Sequence, residues 1–327
     1  MKLGTIDIEK IYVGDNEIDK GMIGSIEIYS GEPEPDYTIP FYVEDVSGSS
    51  NTLTIKKASS SAPTLTIEKS SDGVNWTSMG STSTTGITAT VPANGRLYLR
   101  CSTTHWSNGS SYYDTVNMSK NYQVGGNSMS LIYGSSFTGN ERSLPYSGQW
   151  SGNHLSRLFS ASTTLQDAQD LLLPSETLDY YCYGYMFYNC TNLKTVPKIM
   201  ATSSNNQATG AMTYMFYQCK NLVLPPKINI SNLGYAICES MFQNCTSLTT
   251  TPELKAGTLV GNCYKNMFAG CRSLNNVKCL ATDISASDCT TNWLNGVAAS
   301  GTFITQSSTS WTTGSSGIPS GWNRVNA

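Results

Sequence analysis

The sequence is poor in charge: Asp, Glu, Lys and Arg make up 13% of its 327 residues, and the net charge is -3. That is about half the usual charged share of ~25%. With no Lys/Arg cluster, a nucleic-acid role lacks the basic face it needs. Long apolar runs are missing too. Nothing approaches the roughly 18 consecutive apolar residues of a spanning helix, which argues against membrane insertion. The opening Met1-Lys2-Leu3-Gly4-Thr5-Ile6-Asp7-Ile8-Glu9-Lys10 shows no basic segment followed by an apolar run, so no secretory signal is read there. The two histidines, His105 and His154, stand far apart and no Cys-x-x-Cys pair occurs. Neither a zinc site nor a cofactor is expected.

Ten cysteines invite a disulfide reading, but their spacing argues against most of it. Cys182/Cys190 and Cys263/Cys271 are eight residues apart. On a helix that is about 12 Å, beyond the roughly 7 Å that a disulfide can bridge. Buried free thiols are the expectation. Abundant Ser, Thr, Asn and Gly give the chain an extracellular look without an export address. A virion component, assembled in the cytosol and released by lysis, resolves that mismatch. A bacterial surface protein whose signal lies outside this sequence also resolves it.

What the chain does have is a phrase repeated four times: Met186-Phe187-Tyr188-Asn189-Cys190, Met215-Phe216-Tyr217-Gln218-Cys219, Met241-Phe242-Gln243-Asn244-Cys245 and Met267-Phe268-Ala269-Gly270-Cys271. Leu193, Leu222, Leu248 and Leu274 follow, and the spacings are 29, 26 and 26 residues, the period of a stacked-coil solenoid. Leu158 and Trp293 extend the Met column to six coils, the outer two degenerate as capping coils should be. Cys182, Ala211, Ile237 and Cys263 stand four residues before the Met; Cys190, Cys219, Cys245 and Cys271 stand four after. Spacing of four predicts one ridge of a helix, which would form the core seam. An apolar column at Ile199, Ile228, Leu254 and Leu280 predicts a short extended segment opposite that helix.

Upstream, residues 1–31 echo themselves in Val13-Gly14-Asp15-Asn16-Glu17-Ile18 and Ile23-Gly24-Ser25-Ile26-Glu27-Ile28, a pattern of tight strand pairs too small to be stable alone. Gly31-Glu32-Pro33-Glu34-Pro35-Asp36 supplies a stiff acidic linker over 32–36. Residues 37–125 alternate apolar and polar, with a hairpin signal at Asp72-Gly73 before Trp76, and predict a small Ig-like β-sandwich with Trp76 in its core. The expected fold class is thus mixed and multidomain: a β attachment segment at 1–31, a sandwich spacer at 37–125, an α/β-coil solenoid at 126–300 and a terminal loop as cap at 301–327.

The stretch Cys263-Tyr264-Lys265-Asn266-Met267-Phe268-Ala269-Gly270-Cys271-Arg272-Ser273-Leu274 resembles the BspA-like leucine-rich repeats, in which an aromatic, two intervening residues, Cys and then leucine recur. One copy departs by carrying Ala211 where Cys is usual. The opening Lys10-Ile11-Tyr12-Val13-Gly14 through Ile28-Tyr29-Ser30 is similar to the start of many phage fibre proteins. Together the two resemblances imply a phage virion structural protein, a tail or head fibre. Residues 1–31 would hold it to another virion protein, and its repeat surface would adhere to a host surface glycan or protein without catalysis. The fibre resemblance also implies a homotrimer. A bacterial cell-surface adhesin and a capsid decoration protein that binds no receptor are the alternatives left open.

No catalytic constellation emerges. Asp167 and Asp170, three apart, read as one solvated helix face; His154 falls in a core column, and His105 at the edge of the sandwich. The repeated Met and Cys residues are core by register rather than ligands. One feature stands above this background. Tyr185 and Tyr188 flank Met186, and Tyr214 and Tyr217 occupy the same positions on the next coil. Four tyrosines on one face, edged by Tyr180 or Tyr183, form a candidate binding patch suited to sugar stacking or a protein contact. Packing against the sandwich or a neighbouring subunit is the competing explanation.

Overall fold

The computed structural model describes residues 34–103, 106–107, 113–145, 152–205 and 208–327, together with short strands before them. His105 and linker residues 32–33 lie outside the described residues. Two compact units result, Met1–Asp36 and Tyr37–Ala327. In the first, Lys2–Leu3 pairs with Ile6–Asp7, Tyr12–Val13 with Asn16–Glu17, and Lys20–Ile23 with Ile26–Tyr29, each antiparallel.

The second unit begins with two sheets. Asn51–Lys57 is central to a three-stranded sheet between Ile87–Val91 and Asp114–Met118. Its burial alternates, with Asn51, Leu53, Ile55 and Lys57 inward, the period-2 pattern of a sheet with one wet face. The larger sheet runs Thr77–Ser81, Thr66–Ser70, Arg96–Cys101, Tyr42–Asp45, Tyr122–Asn127, Leu165–Leu173 and Lys198–Ile199. Leu53 and Ile55 of one sheet share a core with Val43, Ile67 and Leu99 of the other. Asp72 caps the Thr66–Ser70/Thr77–Ser81 hairpin by accepting from the Val74 and Asn75 amides. Trp76 is not a core residue as expected: it is half-buried, with the Arg100 guanidinium 4.4 Å from its ring centroid.

The sheet does not stop at residue 125. Tyr122–Asn127 pairs in parallel with Leu165–Leu173, which pairs in parallel with Lys198–Ile199 of the first full repeat. Asp167 and Asp170 therefore lie on a strand rather than on the helix face expected for them. Parallel pairing carries one sheet from the first region into the second, and a core Phe41–Phe159 ring contact at 6.0 Å joins the two.

The α/β-coil solenoid expected over 126–300 is overturned. Among the described residues the one α-helix is Ser130–Tyr133, ahead of the repeats, and the protein is almost entirely strand and turn. The Met-Phe segments are chains of tight turns. Every second amide bonds three residues back, as Cys190 to the Phe187 carbonyl at 3.1 Å and Met186 to Tyr183 at 3.2 Å. The alternate amides bond to the next repeat: Phe187 to the Met215 carbonyl, Phe216 to Met241, Phe242 to Met267 and Phe268 to Trp293, each at 2.9 Å.

A left-handed residue every fourth position closes each turn: Tyr181, Tyr185 and Asn189 in one repeat, Gly210, Tyr214 and Gln218 in the next, then Ala236, Ser240 and Asn244, then Asn262, Asn266 and Gly270. An α-helix holds no such residues, because each costs about 1–2 kcal/mol in an L-amino acid. Spacing of four was the right period with the wrong cause. Among the described residues, every non-glycine with positive φ except Asn94 falls in these repeats or in the degenerate ones that flank them, at Arg157, Ala161, Asp288 and Asn292. Gly210 shows why one such position takes glycine: a Cβ there would stand 2.6 Å from the Tyr181 ring.

The interior is a column of stacked rings. Phe159, Phe187, Phe216, Phe242 and Phe268 are all fully buried, with successive centroids 5.2, 5.3, 5.4 and 5.5 Å apart. Each burial contributes about 1.5–3 kcal/mol. Met186, Met215, Met241 and Met267 are buried beside them. The thiols of Cys190, Cys219, Cys245 and Cys271 each donate to the phenylalanine carbonyl of the preceding repeat, at 3.0, 3.2, 3.0 and 2.9 Å. All ten cysteines are free and buried. Where the column reaches the two-sheet region, Ser162 replaces Cys, and its hydroxyl bonds Asn117 Oδ1 at 2.7 Å.

Residues 301–327 are not the loop expected. Gly301–Thr305 pairs in parallel with Asn276–Cys279 and with Trp322–Asn326. Trp293, in the Met column, stacks on Trp311 at 5.3 Å and donates its indole N–H to the Gly317 carbonyl, which closes that end of the stack.

Candidate functional site

The turn chain decides which side chains reach the surface. Met and Phe, adjacent in sequence, both point inward, while the left-handed residue just before Met and the residue two after it lie along one wall, partly exposed at most repeats and buried at Ser240 and Ala269. On that wall the first of these columns reads Arg157, Tyr185, Tyr214, Ser240, Asn266, Asn292, all with φ between 53 and 62°. Asn is among the few non-glycine residues at ease in that region, and bulky side chains there are uncommon. Three of the six positions nevertheless carry Arg or Tyr, and the three are consecutive.

The tyrosines form a grid. Tyr185 stacks on Tyr214 at 4.9 Å and 11°, and Tyr188 on Tyr217 at 4.9 Å and 5°. Within a repeat, Tyr185 meets Tyr188 at 5.7 Å and Tyr214 meets Tyr217 at 5.5 Å. The structure thus brings all four predicted residues together, half-buried rather than fully exposed. Their ring faces are turned to one another, so the wall offers ring edges and hydroxyls, a poor platform for stacking a sugar across the grid. None of the four hydroxyls has a hydrogen bond among the described residues. Tyr183 is fully buried and takes no part, whereas Tyr180 packs edge-on against Tyr181 at 4.8 Å.

Sequence reasoning missed Arg157. Its guanidinium carbon lies 4.1 Å from the Tyr185 ring centroid, 5.0 Å from that of Tyr113 and 5.9 Å from that of Tyr188. The signal was available in the alignment, since Arg157 stands one residue before Leu158 as Tyr185 stands before Met186. Burial, together with neighbouring Tyr214 and opposed by Arg157, pushes the Tyr185 hydroxyl up to about 12. Glu239, two residues before Met241, is raised by burial, with Lys265 opposing.

Elsewhere the chemistry is enclosed. His154 is fully buried with its Nε2 3.6 Å from Asp179 Oδ2, which ties the first degenerate repeat to the next. Burial pushes the Cys190 and Cys271 thiols up to about 12, far from a reactive thiolate. Among the described residues no three His, Cys, Asp or Glu side chains are placed to hold a metal, and no helix is long and apolar enough to cross a membrane. A cavity of about 260 Å³ beside Asn295, Gly296, Ser315 and Pro319 has no titratable side chain in its lining. In comparisons with known proteins, no family model, no curated protein and no solved structure matches this chain.

Proposed function

We propose that this chain is a structural protein of a phage virion, a tail or head fibre, whose repeat surface recognises the host bacterial surface by non-covalent contact. Residues 1–31 would attach it to another virion protein, and several copies, as in a trimer, would multiply weak single contacts. One observation carries the recognition half of this reading. Arg157, Tyr185 and Tyr214 occupy left-handed positions where later repeats carry Ser240, Asn266 and Asn292. Bulky residues kept where the backbone favours Asn cost stability, and such costs gather at functional surfaces. The phage assignment draws its support from the resemblance of the opening segment and of the repeats to fibre proteins.

Gold-labelled antibody electron microscopy on particles released from the culture that carries this gene tests the reading. Label on fibres or at the tail tip is expected. Label confined to the capsid favours decoration, and label only on bacterial envelopes contradicts the virion assignment in favour of a cell-surface adhesin. The patch has its own test in the double variant Tyr185→Ala/Tyr214→Ala. Reduced adherence to host cells with an unchanged oligomeric state is expected; unchanged adherence and unchanged assembly would remove the patch from the account.

A further inference from the structure

Among the described residues Arg157 is a cation with aromatic company and no counter-charge. Its guanidinium lies against Tyr185 from the following repeat and near Tyr113 from the two-sheet region. Its Nε is buried without a hydrogen-bond partner. Among the described residues no carboxylate pairs with it, in contrast with Arg96 on Glu44 and Arg100 on Glu68, each at 2.7 Å. Within Tyr37–Ala327 the undescribed stretches, 104–105, 108–112, 146–151 and 206–207, contain no Asp or Glu that would supply one. Glu239, which acts electrostatically on Tyr185, has Lys265 as its charged neighbour.

A guanidinium whose faces meet aromatic rings keeps its N–H edge available, and that edge matches a planar carboxylate two bonds at a time. The Nε–H is shut off from solvent, so the terminal Nη groups are the donors that an arriving oxyanion can reach. Beside it stand tyrosine hydroxyls with no bond among the described residues, able to donate to oxygen or accept from sugar hydroxyls. The wall therefore suits a ligand that is both anionic and rich in hydroxyls, and it is ill suited to an apolar one.

We infer that Arg157, Tyr188 and Tyr217 form the head of a binding site for an acidic glycan, with the guanidinium taking the carboxylate of a uronic-acid sugar. This inference rests on the recognition reading given above, and names the ligand class of that same wall. Left-handed geometry at position 157 is common to every variant proposed for it, so Arg157→Lys and Arg157→Gln carry equal backbone cost and differ from the parent only at the head group.

The experiment is titration calorimetry of the full chain with a glucuronic-acid oligosaccharide, a neutral glucose oligosaccharide of equal length, and inorganic phosphate. Acidic oligosaccharide alone should bind. Affinity should fall about tenfold in Arg157→Lys, which keeps charge but loses the fork, and further in Arg157→Gln. Unaltered circular dichroism of both variants separates lost binding from lost fold. Phosphate that binds as well as the oligosaccharide would reduce the site to a bare anion site and overturn the glycan assignment. Equal binding of acidic and neutral sugars, binding unchanged in Arg157→Gln, or no binding by the parent chain would overturn it as well. Because no virion enters this assay, sugar binding with label only on envelopes would sink the phage reading and leave the glycan site standing.

Discussion

The two-sheet region and the repeat stack are built from similar residues by opposite local rules. In Asn51–Lys57 every second side chain is buried, and partners lie across an antiparallel ladder. In the repeats the buried Met and Phe are neighbours in sequence; each phenylalanine ring stacks on its equivalent in the next repeat, and its amide bonds the carbonyl of the residue just before that equivalent, as Phe187 to Met215 and Phe216 to Met241 show. An extended strand asks nothing unusual of its backbone. The turn chain asks for a left-handed residue at every fourth position and selects Asn189, Asn244, Asn262, Asn266 and Gly270 to supply it. The lesson is that departures from that selection are informative. Ala161, Ala236, Ser240 and Gln218 depart with small or polar side chains and Tyr181 packs on Tyr180, whereas Arg157, Tyr185 and Tyr214 are bulky and line one wall, which is why the proposed recognition surface is placed there.

The largest expected effect breaks the stack itself. Phe216 lies between Phe187 at 5.3 Å and Phe242 at 5.4 Å, so Phe216→Ala should cost about 3–5 kcal/mol in urea denaturation. Hydrogen exchange should rise at the Phe187 and Phe242 amides as well, because repeats lean only on their neighbours. Ile55→Val, in the two-sheet core, should cost about 0.5–1.5 kcal/mol and leave those amides protected. A loss for Phe216→Ala as small as that of Ile55→Val would mean that the ring column is not the core of the repeats.

The two-sheet region has a pH signature of its own, because two buried aspartates there shift in opposite directions. Burial holds the Asp114 carboxyl up to about 6, with Thr82 and Lys57 opposing. Its preference for the neutral form is fully present below about pH 4, and it is lost as pH rises through 6. Asp114→Asn should therefore raise stability at pH 7 by about 1–2 kcal/mol and flatten the profile between pH 4 and 6. For Asp45, burial is outweighed by hydrogen bonds from Ser47, the Asn94 amide and Asn51, and the carboxyl is held at about 2. Its contribution is present above about pH 4 and lost as pH falls toward 2. Asp114→Asn with an unaltered slope from pH 4 to 6 would show that the carboxyl is ionised in the fold despite its burial.

Much of this was legible in the sequence. The register of Met186, Met215, Met241 and Met267, the buried thiols and the four-tyrosine wall all followed from aligning one phrase. What misled was the period. A helix brings positions four apart onto one face, and a chain of four-residue turns does the same, so burial alone cannot separate them. The separating signal lay three residues after Met186, Met241, Met267 and Trp293, in Asn189, Asn244, Gly270 and Gly296, residue types that favour left-handed backbone, with Gln218 after Met215 the exception. Tyr185 and Tyr214 masked the parallel signal one residue before the Met. The C-terminal strands were hidden for another reason: Gly301–Thr305 pairs in parallel with segments about twenty residues away on either side, Asn276–Cys279 and Trp322–Asn326, so no tight hairpin turn marks it. Arg157 sat in an aligned column, but its isolation from carboxylates is a property of the folded chain alone.

The most direct test of the turn chain, from which the wall and its residues follow, uses Asn266, whose φ is 54°. A left-handed position and a helical one demand opposite signs from the same two substitutions. Asn266→Gly should be neutral or slightly stabilising, and Asn266→Ala should lose about 1 kcal/mol in urea denaturation. A gain of about half a kcal/mol for Ala with a loss for Gly, the helical order, would contradict the account.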